Sequence, residues 1–195
     1  MKNISKRFFD ATFSLIGLIL FFWLILLAWL VAAIETRSNG FFIQKRIGIN
    51  GKHFSIYKIK TMHNDTIGTR SSISLSQSPF TKSGRVMRKY KIDELPQLFN
   101  VLIGDMSFVG PRPDVPGYAD SLHGDDKLIL KLRPGITGPA SLKYRNEEKI
   151  LSSVENPKEY NDKIIWPDKV KINLWYYHNH SLALDIKYIL MTLLK

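Results

Sequence analysis

Two adjacent carboxylates in this chain, Asp93 and Glu94, stand a few residues before Pro96. Proline is tolerated in the first turn of a helix but not in its interior, so the sequence predicts a helix from near Asp93 to about Ile103. Asp93 would then lie at or near the N-cap. There the unpaired N–H groups favour an anion and could hold a phosphate oxygen or orient a carboxylate that attacks one. An ordinary helix cap with a solvated first turn fits the same pattern, so both interpretations stay open here.

One arginine before the carboxylate pair and one after it could bind a phosphate. Arg112 lies in the turn Gly110-Pro-Arg-Pro113, where the prolines restrict the backbone and lower the entropy cost of aiming its side chain. Arg88 precedes Asp93 by five residues, near enough along the chain to meet a phosphate held beside the carboxylates. The planar guanidinium matches phosphate oxygens, so this stretch indicates phosphate chemistry, with surface charge as the alternative for Arg88.

A long apolar segment precedes this region. Ala11–Ile34 is an uncharged run of 24 residues bounded by Asp10 and Glu35, and as a helix it would reach roughly 36 Å. A signal peptide has a shorter apolar core of roughly 7–15 residues, so the segment is interpreted as a retained membrane anchor.

The anchor has positive charges on both flanks: Lys2, Lys6 and Arg7 before it, and Arg37, Lys45, Arg46 and Lys52 after it. The positive-inside rule then puts both ends in the cytoplasm, as in a re-entrant helix. Such a helix normally needs a break, and this run has no proline and only Gly17 as a weak point, so a single span is the alternative.

Composition limits the classes of function. The formal net charge of +11 and pI near 9.8 suit an anionic lipid surface, a phosphorylated substrate or nucleic acid. The chain has no cysteine, which excludes disulfides and thiolate zinc sites. About 160 residues follow the anchor, enough for one compact domain. We therefore expect an anchor over residues 1–39 and one cytoplasmic domain over residues 40–195.

The sequence after the anchor predicts an α+β fold that is mainly helical, with one short β-hairpin and amphipathic surface helices. The hairpin is predicted from alternating apolar residues on either side of Asn50-Gly51, over residues 41–48 and 53–62. In its second strand Lys58 and Lys60 share a face, which fits an anion site or simply a solvated surface. A loop is predicted over residues 63–83, and helical segments over residues 85–90, 125–132 and 147–154 and twice within residues 167–195.

Several of these segments together resemble the bacterial sugar transferase family, the small monotopic phosphoglycosyl transferases, over nearly the whole chain. They are Lys6-Arg-Phe-Phe-Asp10, Gln44-Lys-Arg-Ile-Gly48, Ile56–Met62, Gly84-Arg-Val-Met-Arg88, Asp93–Pro113, Leu132–Gly138 and Arg145-Asn146. The resemblance implies an enzyme of the bacterial inner membrane that acts on its cytoplasmic face. It would transfer a sugar 1-phosphate from a UDP-sugar to undecaprenyl phosphate and release UMP, the first membrane step of glycoconjugate synthesis.

The resemblance also implies roles for single residues. Asp93 matches the nucleophile that forms a covalent phosphosugar intermediate and is the best-placed protein ligand for Mg²⁺, the implied cofactor. Glu94 matches the residue that positions the metal or assists proton movement. The candidates for phosphate contacts are Lys60, Arg88, Arg112 and Arg145. The expected partners are the two substrates and membrane lipids, with no nucleic acid.

The chain departs from the family pattern in three places. The anchor lacks the proline that usually bends it, Pro139-Ala-Ser141 stands where many relatives have Trp-Ala-Gln, and Lys60 stands where they have arginine. Three other classes of function stay open: a glycosyltransferase that releases UDP, a non-catalytic basic module that binds lipid or nucleic acid, and an inactive scaffold. The basic module would show strong salt dependence without turnover.

Overall fold

The computed structural model describes residues 2–63 and 79–194. Residues 64–78 of the predicted loop lie outside the described residues. The α-helices, in chain order, are α1 (Lys2–Thr36), α2 (Lys82–Lys89), α3 (Gln97–Ile103), α4 (Pro139–Lys143), α5 (Glu147–Ser152), α6 (Pro157–Tyr160), α7 (Trp166–Asn179) and α8 (Leu182–Leu193). The strands are β1 (Phe41–Ile47), β2 (His53–Ile59), β3 (Ser107–Val109) and β4 (Gly135–Thr137). The predicted α+β class is confirmed.

The predicted β-hairpin is present. β1 and β2 form a two-stranded sheet, and the connection between them contains Asn50 and Gly51. Both residues have positive φ, 55° and 75°, as the Asn-Gly signal predicts. The helices predicted over residues 147–154 and within residues 167–195 correspond to α5, α7 and α8. The segment predicted over residues 125–132 forms a 3₁₀ helix, Gly124–Lys131.

The apolar segment forms one uninterrupted helix, α1. The stretch Ile4–Thr36 of this helix is long and apolar enough to cross a membrane. Only 11% of its most apolar portion is buried inside the protein. The buried residues of α1 are small or polar: Asp10, Ser14, Ala28, Ala32 and Thr36. The helix therefore packs on protein along a narrow stripe and exposes large apolar side chains elsewhere, which suits contact with lipid. The re-entrant path stays a prediction.

The chain divides into two compact units. We call residues 12–44 and 55–102 the anchor unit, because most of α1 lies in it. We call residues 1–11, 45–54 and 103–195 the C-terminal unit. The predicted division between an anchor over residues 1–39 and a domain over residues 40–195 stays a prediction.

The anchor unit has its core between α1, β2 and α2. Ala28, Ala32, Ile59 and Met87 form this core, and partly buried apolar side chains pack around it. Gly84 permits the close approach of α2, because a Cβ at this position would lie 2.3 Å from the carbonyl oxygen of Thr61.

A buried amide side chain connects α3 to β2 in the anchor unit. Nδ2 of Asn100 donates to the carbonyl oxygen of Ser55 at 2.7 Å, and Oδ1 of Asn100 accepts from the backbone N–H of Tyr57 at 3.1 Å. Asn100 is fully buried. It thus satisfies the backbone of β2 as a neighbouring strand would and fixes α3 against that strand.

The predicted helix start at Asp93 is wrong. Asp93 lies inside a 3₁₀ turn, Ile92–Glu94, and α3 begins only at Gln97. The chain enters this turn through Lys91, which has left-handed backbone angles, φ 59° and ψ 20°. Pro96 has no N–H to donate to an earlier carbonyl, so bonds from each residue to the third one before it replace the α-helical pattern here. The predicted end at Ile103 is confirmed.

The C-terminal unit contains two short parallel strands that the sequence did not predict. β3 pairs with β4, with Ser107 opposite Gly135 and Val109 opposite Thr137. A second proline-bearing turn, Arg133-Pro-Gly135, leads into β4. Gly110, which directly follows β3, lies so close to this turn that a Cβ on Gly110 would be 2.2 Å from the carbonyl oxygen of Arg133. The two proline-bearing turns therefore lie side by side.

α7 and α8 complete the C-terminal unit. Val109, Leu132 and Tyr176 form one core cluster of this unit with partly buried side chains of β3, α7 and α8, and Ile47, Ala119 and Leu130 form another. Asp185 of α8 is buried, accepts a hydrogen bond from the Tyr176 hydroxyl and pairs with Nζ of Lys6 at 2.5 Å. Both ends of the chain thus contribute to this unit.

Candidate functional site

Asp93 is held in a buried position with one oxygen available. Its side chain is 6% exposed, although it lies in a turn between two helices. Among the residues that the structure describes, none forms a hydrogen bond with Oδ1 of Asp93. Buried carboxylate oxygens in folded proteins almost always have a partner, so this oxygen is suited to a ligand, a metal ion or a reacting group.

Opposing electrostatic effects act on Asp93. Burial raises the pKa of its carboxyl above the usual range, and the neighbouring charge of Glu94 raises it further. Positive charges act in the opposite direction and lower that pKa, in the order Lys58, Arg88 and Lys91. The site therefore combines a desolvated carboxylate with nearby cations, an arrangement common where a charged group takes part in chemistry.

Lys58 pairs with the second carboxylate. Its Nζ lies 2.9 Å from Oε1 of Glu94, and both side chains are largely buried. The sequence placed Lys58 on a lysine-bearing strand face with Lys60 but did not select it as a site residue. The structure adds Lys58 to the site, because it pairs with Glu94 and because its charge lowers the pKa of Asp93 more than the charge of Arg88 or Lys91 does.

Lys60 and Arg88 have other contacts in the same unit. Nζ of Lys60 donates to Oγ of Ser38 at 2.8 Å, just after β2 ends. The guanidinium of Arg88 lies over the ring of Phe80, 4.6 Å from its centroid, and its charge acts on Asp93. The roles of both residues in phosphate binding stay predictions.

Arg112 projects from a rigid turn of the C-terminal unit. Pro111 and Pro113 are buried, whereas Arg112 between them is exposed. The end of β1 holds this turn through two hydrogen bonds to its backbone. Nη1 of Arg46 donates to the carbonyl oxygen of Pro113 at 3.1 Å, and the N–H of Ile47 donates to that of Asp114 at 3.0 Å. The turn thus presents the guanidinium without packing it away.

Asp114 is a carboxylate that sequence reasoning missed. It follows the turn directly, lies beside a small cavity next to Arg112, and loses enough solvation that its pKa rises to about 6. The charges of Lys169, Arg112 and Arg46 lower that pKa but do not offset the loss of solvation. An acid residue after a proline turn has no distinctive sequence signal, so only the fold shows this environment.

The predicted site residues divide between the two units. Asp93, Glu94, Lys60 and Arg88 belong to the anchor unit, and Arg112 and Arg145 belong to the C-terminal unit. Arg145 is exposed between α4 and α5. The anchor unit therefore provides the carboxylates with cations of their own, and the C-terminal unit provides two exposed arginines.

Asp93 suits a magnesium ion that shares its coordination with a substrate. In the described part of the chain there is no group of three or more histidine, aspartate or glutamate side chains that could hold a metal alone. Mg²⁺ commonly binds through one or two carboxylates, water and substrate phosphates, so a preformed cage is not required. Oδ1 of Asp93, which has no hydrogen-bond partner in the described part of the chain, is of the right chemical type for such a ligand.

Comparison with known proteins identifies the family. The model of the bacterial sugar transferase family matches residues 1–195. An uncharacterized sugar transferase of Bacillus subtilis, EpsL, is 36% identical over 98% of this chain and 87% of its own length. The UDP-glucose:undecaprenyl-phosphate glucose-1-phosphate transferase of Klebsiella pneumoniae is 34% identical over 100% of this chain and 40% of its own length.

A third relative carries a different sugar in its name. The UDP-N-acetylgalactosamine-undecaprenyl-phosphate N-acetylgalactosaminephosphotransferase of Aeromonas hydrophila is 30% identical over 96% of this chain and 42% of its own length. The chain thus spans less than half of these two longer relatives. The whole-chain family match and the identities above agree with the resemblance found in the sequence motifs, and the chain belongs to the bacterial sugar transferase family.

Proposed function

We propose that this protein transfers a sugar 1-phosphate from a UDP-sugar to undecaprenyl phosphate and releases UMP, at the cytoplasmic face of a bacterial membrane. The observation that carries the proposal is the buried carboxylate of Asp93, with one oxygen unpartnered among the described residues and cations around it. The names of the relatives support the lipid carrier and the transferred group. The product would begin the assembly of a glycoconjugate on the membrane.

In the first step Asp93 acts as the nucleophile. An oxygen of its carboxylate attacks the phosphorus that bears the sugar, and a bond forms between them. The bond from that phosphorus to the oxygen bridging the two phosphates breaks, and UMP leaves with this oxygen and the bonding electrons. A carboxylate is a weak nucleophile toward a dianionic diphosphate, so the reaction requires positive charge nearby.

In the second step a phosphate oxygen of undecaprenyl phosphate attacks the same phosphorus. The bond to Asp93 breaks, which restores the carboxylate and gives the lipid diphosphate sugar. No external oxidant, reductant or further co-reactant is needed, because each step exchanges one oxygen–phosphorus bond for another.

The surrounding residues have distinct tasks in this scheme. Lys58 holds Glu94 and offsets the negative charge beside the nucleophile. Arg88 lowers the pKa of Asp93, which favours the ionised form required for attack. Arg112 and Arg145, exposed in the C-terminal unit, are proposed as phosphate contacts, with Arg112 on the stiffer support. Lys60 is proposed in the same role.

A bound Mg²⁺, with Asp93 as its proposed protein ligand, would neutralise diphosphate charge and assist departure of the nucleotide. Within the protein, the low exposure of Asp93 keeps bulk water away from the carboxylate and so protects a reactive acyl phosphate from hydrolysis.

The test is a nucleotide-release assay on purified full-length protein in detergent, with Mg²⁺ and a panel of UDP-sugars. Release of UMP that requires undecaprenyl phosphate for multiple turnovers supports the proposal and identifies the sugar. Release of UDP would show transfer of the sugar alone and overturn it. Asp93→Asn is nearly isosteric and should abolish release while the protein stays folded, whereas the surface variant Asn179→Asp should behave as the wild type.

A further inference from the structure

The helix α2 carries an exposed basic face that the described residues of its own unit do not neutralise. Lys82, Arg85 and Lys89 are exposed and lie three and four residues apart, so they share one side of the helix. Among the described residues none of these three side chains forms an ion pair. The opposite side is buried through Gly84 and Met87. This basic face is therefore free to meet an anionic partner.

Helix stability explains Lys89, which lies in the last turn of α2 where the helix dipole favours a cation, but it does not explain Lys82. α2 has no acidic residue in its first turn and has Lys82 there instead, close to the positive end of the helix dipole. A cation in the first turn is typically unfavourable by a few tenths of a kcal/mol. The helix is stabilised at this end by other groups, since Oγ1 of Thr81 accepts from the N–H of Gly84 at 2.9 Å.

The position of α2 relative to α1 indicates where the basic face would lie with respect to a membrane that holds α1. Glu35 is the first charged residue after the apolar run, one residue before α1 ends. Its carboxylate accepts hydrogen bonds from Oγ of Ser83 at 2.5 Å and from the N–H of Ser83 at 3.3 Å. The first turn of α2 is thus bonded to the polar end of α1, and Ile34, directly before that end, is 68% exposed.

An apolar helix embedded in lipid places its polar end at the level of the headgroups. The bond between Glu35 and Ser83 then puts α2 at the same level. Two more exposed side chains fit this location: Val86 (53% exposed) on the basic face, and Tyr90 (65% exposed), whose ring lies under Nζ of Lys89 at 5.4 Å from the centroid. Basic residues mixed with an aromatic and an aliphatic side chain are typical of a surface that rests on a membrane.

We propose that the exposed face of α2, formed by Lys82, Arg85, Val86 and Lys89, docks on anionic lipid headgroups of the membrane. The proposed binding partner is the lipid surface itself and not the substrate. This contact would hold the turn that contains Asp93, which follows α2 by a few residues, at a fixed height above the membrane. The inference does not depend on turnover and goes beyond the proposed reaction.

The absence of cysteine from the sequence gives a direct test. Val86→Cys, labelled with a fluorescent donor, reports the distance to acceptors on lipid headgroups when full-length protein is held in nanodiscs. Discs of phosphatidylcholine alone are compared with discs in which about half of the lipid is phosphatidylglycerol, at low salt and at about tenfold higher salt. We expect stronger energy transfer in the anionic discs and at least about twofold loss of this difference at high salt.

Charge variants isolate the basic face. Lys82→Gln, Arg85→Gln and Lys89→Gln together should reduce the dependence of the signal on lipid charge at least about threefold, since each basic residue near an anionic surface favours binding by roughly fivefold. The matched control removes three exposed positive charges elsewhere, through Lys127→Gln, Lys149→Gln and Lys158→Gln. This control should keep the wild-type response.

Three results would overturn the proposal. One is equal energy transfer in the two kinds of disc. This result needs only the labelled Val86→Cys protein, so it can be obtained even if the triple variant fails to fold. The second is an equal loss in the matched control. The third is a signal that follows added UDP-sugar and not lipid charge, which would assign the face to the substrate.

Discussion

Nζ of Lys58 lies 2.9 Å from Oε1 of Glu94 and joins β2 to the turn that carries Asp93. The two side chains are 18% and 15% exposed, so their interaction is only partly screened by water. This pair neutralises one of two adjacent carboxylates, and the other, Asp93, keeps an oxygen that forms no hydrogen bond with any residue in the described ranges. A lysine of the hairpin is thereby part of the acidic centre.

Lys58→Met should shift the acidic side of the pH–rate profile to higher pH. Lys58 lowers the pKa of Asp93, so its loss raises that pKa, and the ionised nucleophile then disappears at a higher pH as the solution is acidified. We expect kcat/KM at neutral pH to fall roughly 10- to 100-fold, since a charge at the reacting centre is lost. The measurement is kcat/KM as a function of pH. The control is Lys52→Met, which changes an exposed lysine between the two strands of the hairpin. An unmoved acidic limb would contradict the role of Lys58.

Arg112→Lys should lower kcat/KM about tenfold with little change in thermal stability. Lysine keeps the charge but loses the planar fork that binds phosphate through two hydrogen bonds. The side chain is exposed on a turn held by buried prolines, so the fold does not depend on it. Steady-state kinetics and thermal unfolding of the same samples give the comparison, with Arg37→Lys as the control. A normal kcat/KM would remove Arg112 from the substrate site.

Asp114 should make stability depend on pH in an unusual direction. Its pKa is about 6 in the folded chain against 3.8 without burial, so between these values the folded state binds the proton more tightly. The contribution of Asp114 to the free energy of unfolding is therefore fully present below about pH 4 and is lost as the pH rises through about 6. The loss is at most about 3 kcal/mol.

Asp114→Asn removes this titration. The variant should show a smaller fall in melting temperature between pH 4.5 and pH 7 than the wild type, in the same detergent and salt. Asp126→Asn changes an exposed acid in a 3₁₀ helix of the same unit and is the matched control. A wild-type pH dependence in Asp114→Asn would show that the carboxyl is not desolvated.

Asn100→Leu should destabilise the anchor unit by roughly 2–4 kcal/mol, because two backbone groups of β2 lose their partner in a buried site. The melting temperature should fall, and activity should fall with it as α3 and the turn at Asp93 lose their support. Asn100→Asp keeps the acceptor for the N–H of Tyr57 but loses the donor to the carbonyl oxygen of Ser55. Its melting temperature should lie between those of the wild type and Asn100→Leu. A wild-type melting temperature in Asn100→Leu would contradict this account.

Local patterns predicted much of the fold. Alternation around Asn50-Gly51 predicted the hairpin, and apolar spacing predicted α7 and α8, because these elements depend on short-range geometry. β3 and β4 are three residues long and lie in proline-rich turns, where no periodicity can develop. Their pairing depends on two distant turns coming together, which sequence spacing does not encode.

The candidate site shows the same division. Asp93, Glu94 and Arg88 could be selected from sequence because they lie within seven residues of one another. The pair between Lys58 and Glu94 spans 36 residues and requires α3 to dock on β2 through Asn100, so only the fold shows it. The predicted helix start failed because Pro96 was placed inside the first turn of the helix, whereas Pro96 lies after the 3₁₀ turn Ile92–Glu94 and directly before α3 begins at Gln97.

The most direct test of the central claim is the mass of the intact protein after mixing with Mg²⁺ and an active UDP-sugar, without lipid acceptor. We predict an increase by one sugar phosphate, located by peptide mapping at Asp93, removed by added undecaprenyl phosphate and absent in Asp93→Asn. Turnover without such an adduct under rapid quenching, or an adduct that persists in Asp93→Asn, would contradict Asp93 as the nucleophile.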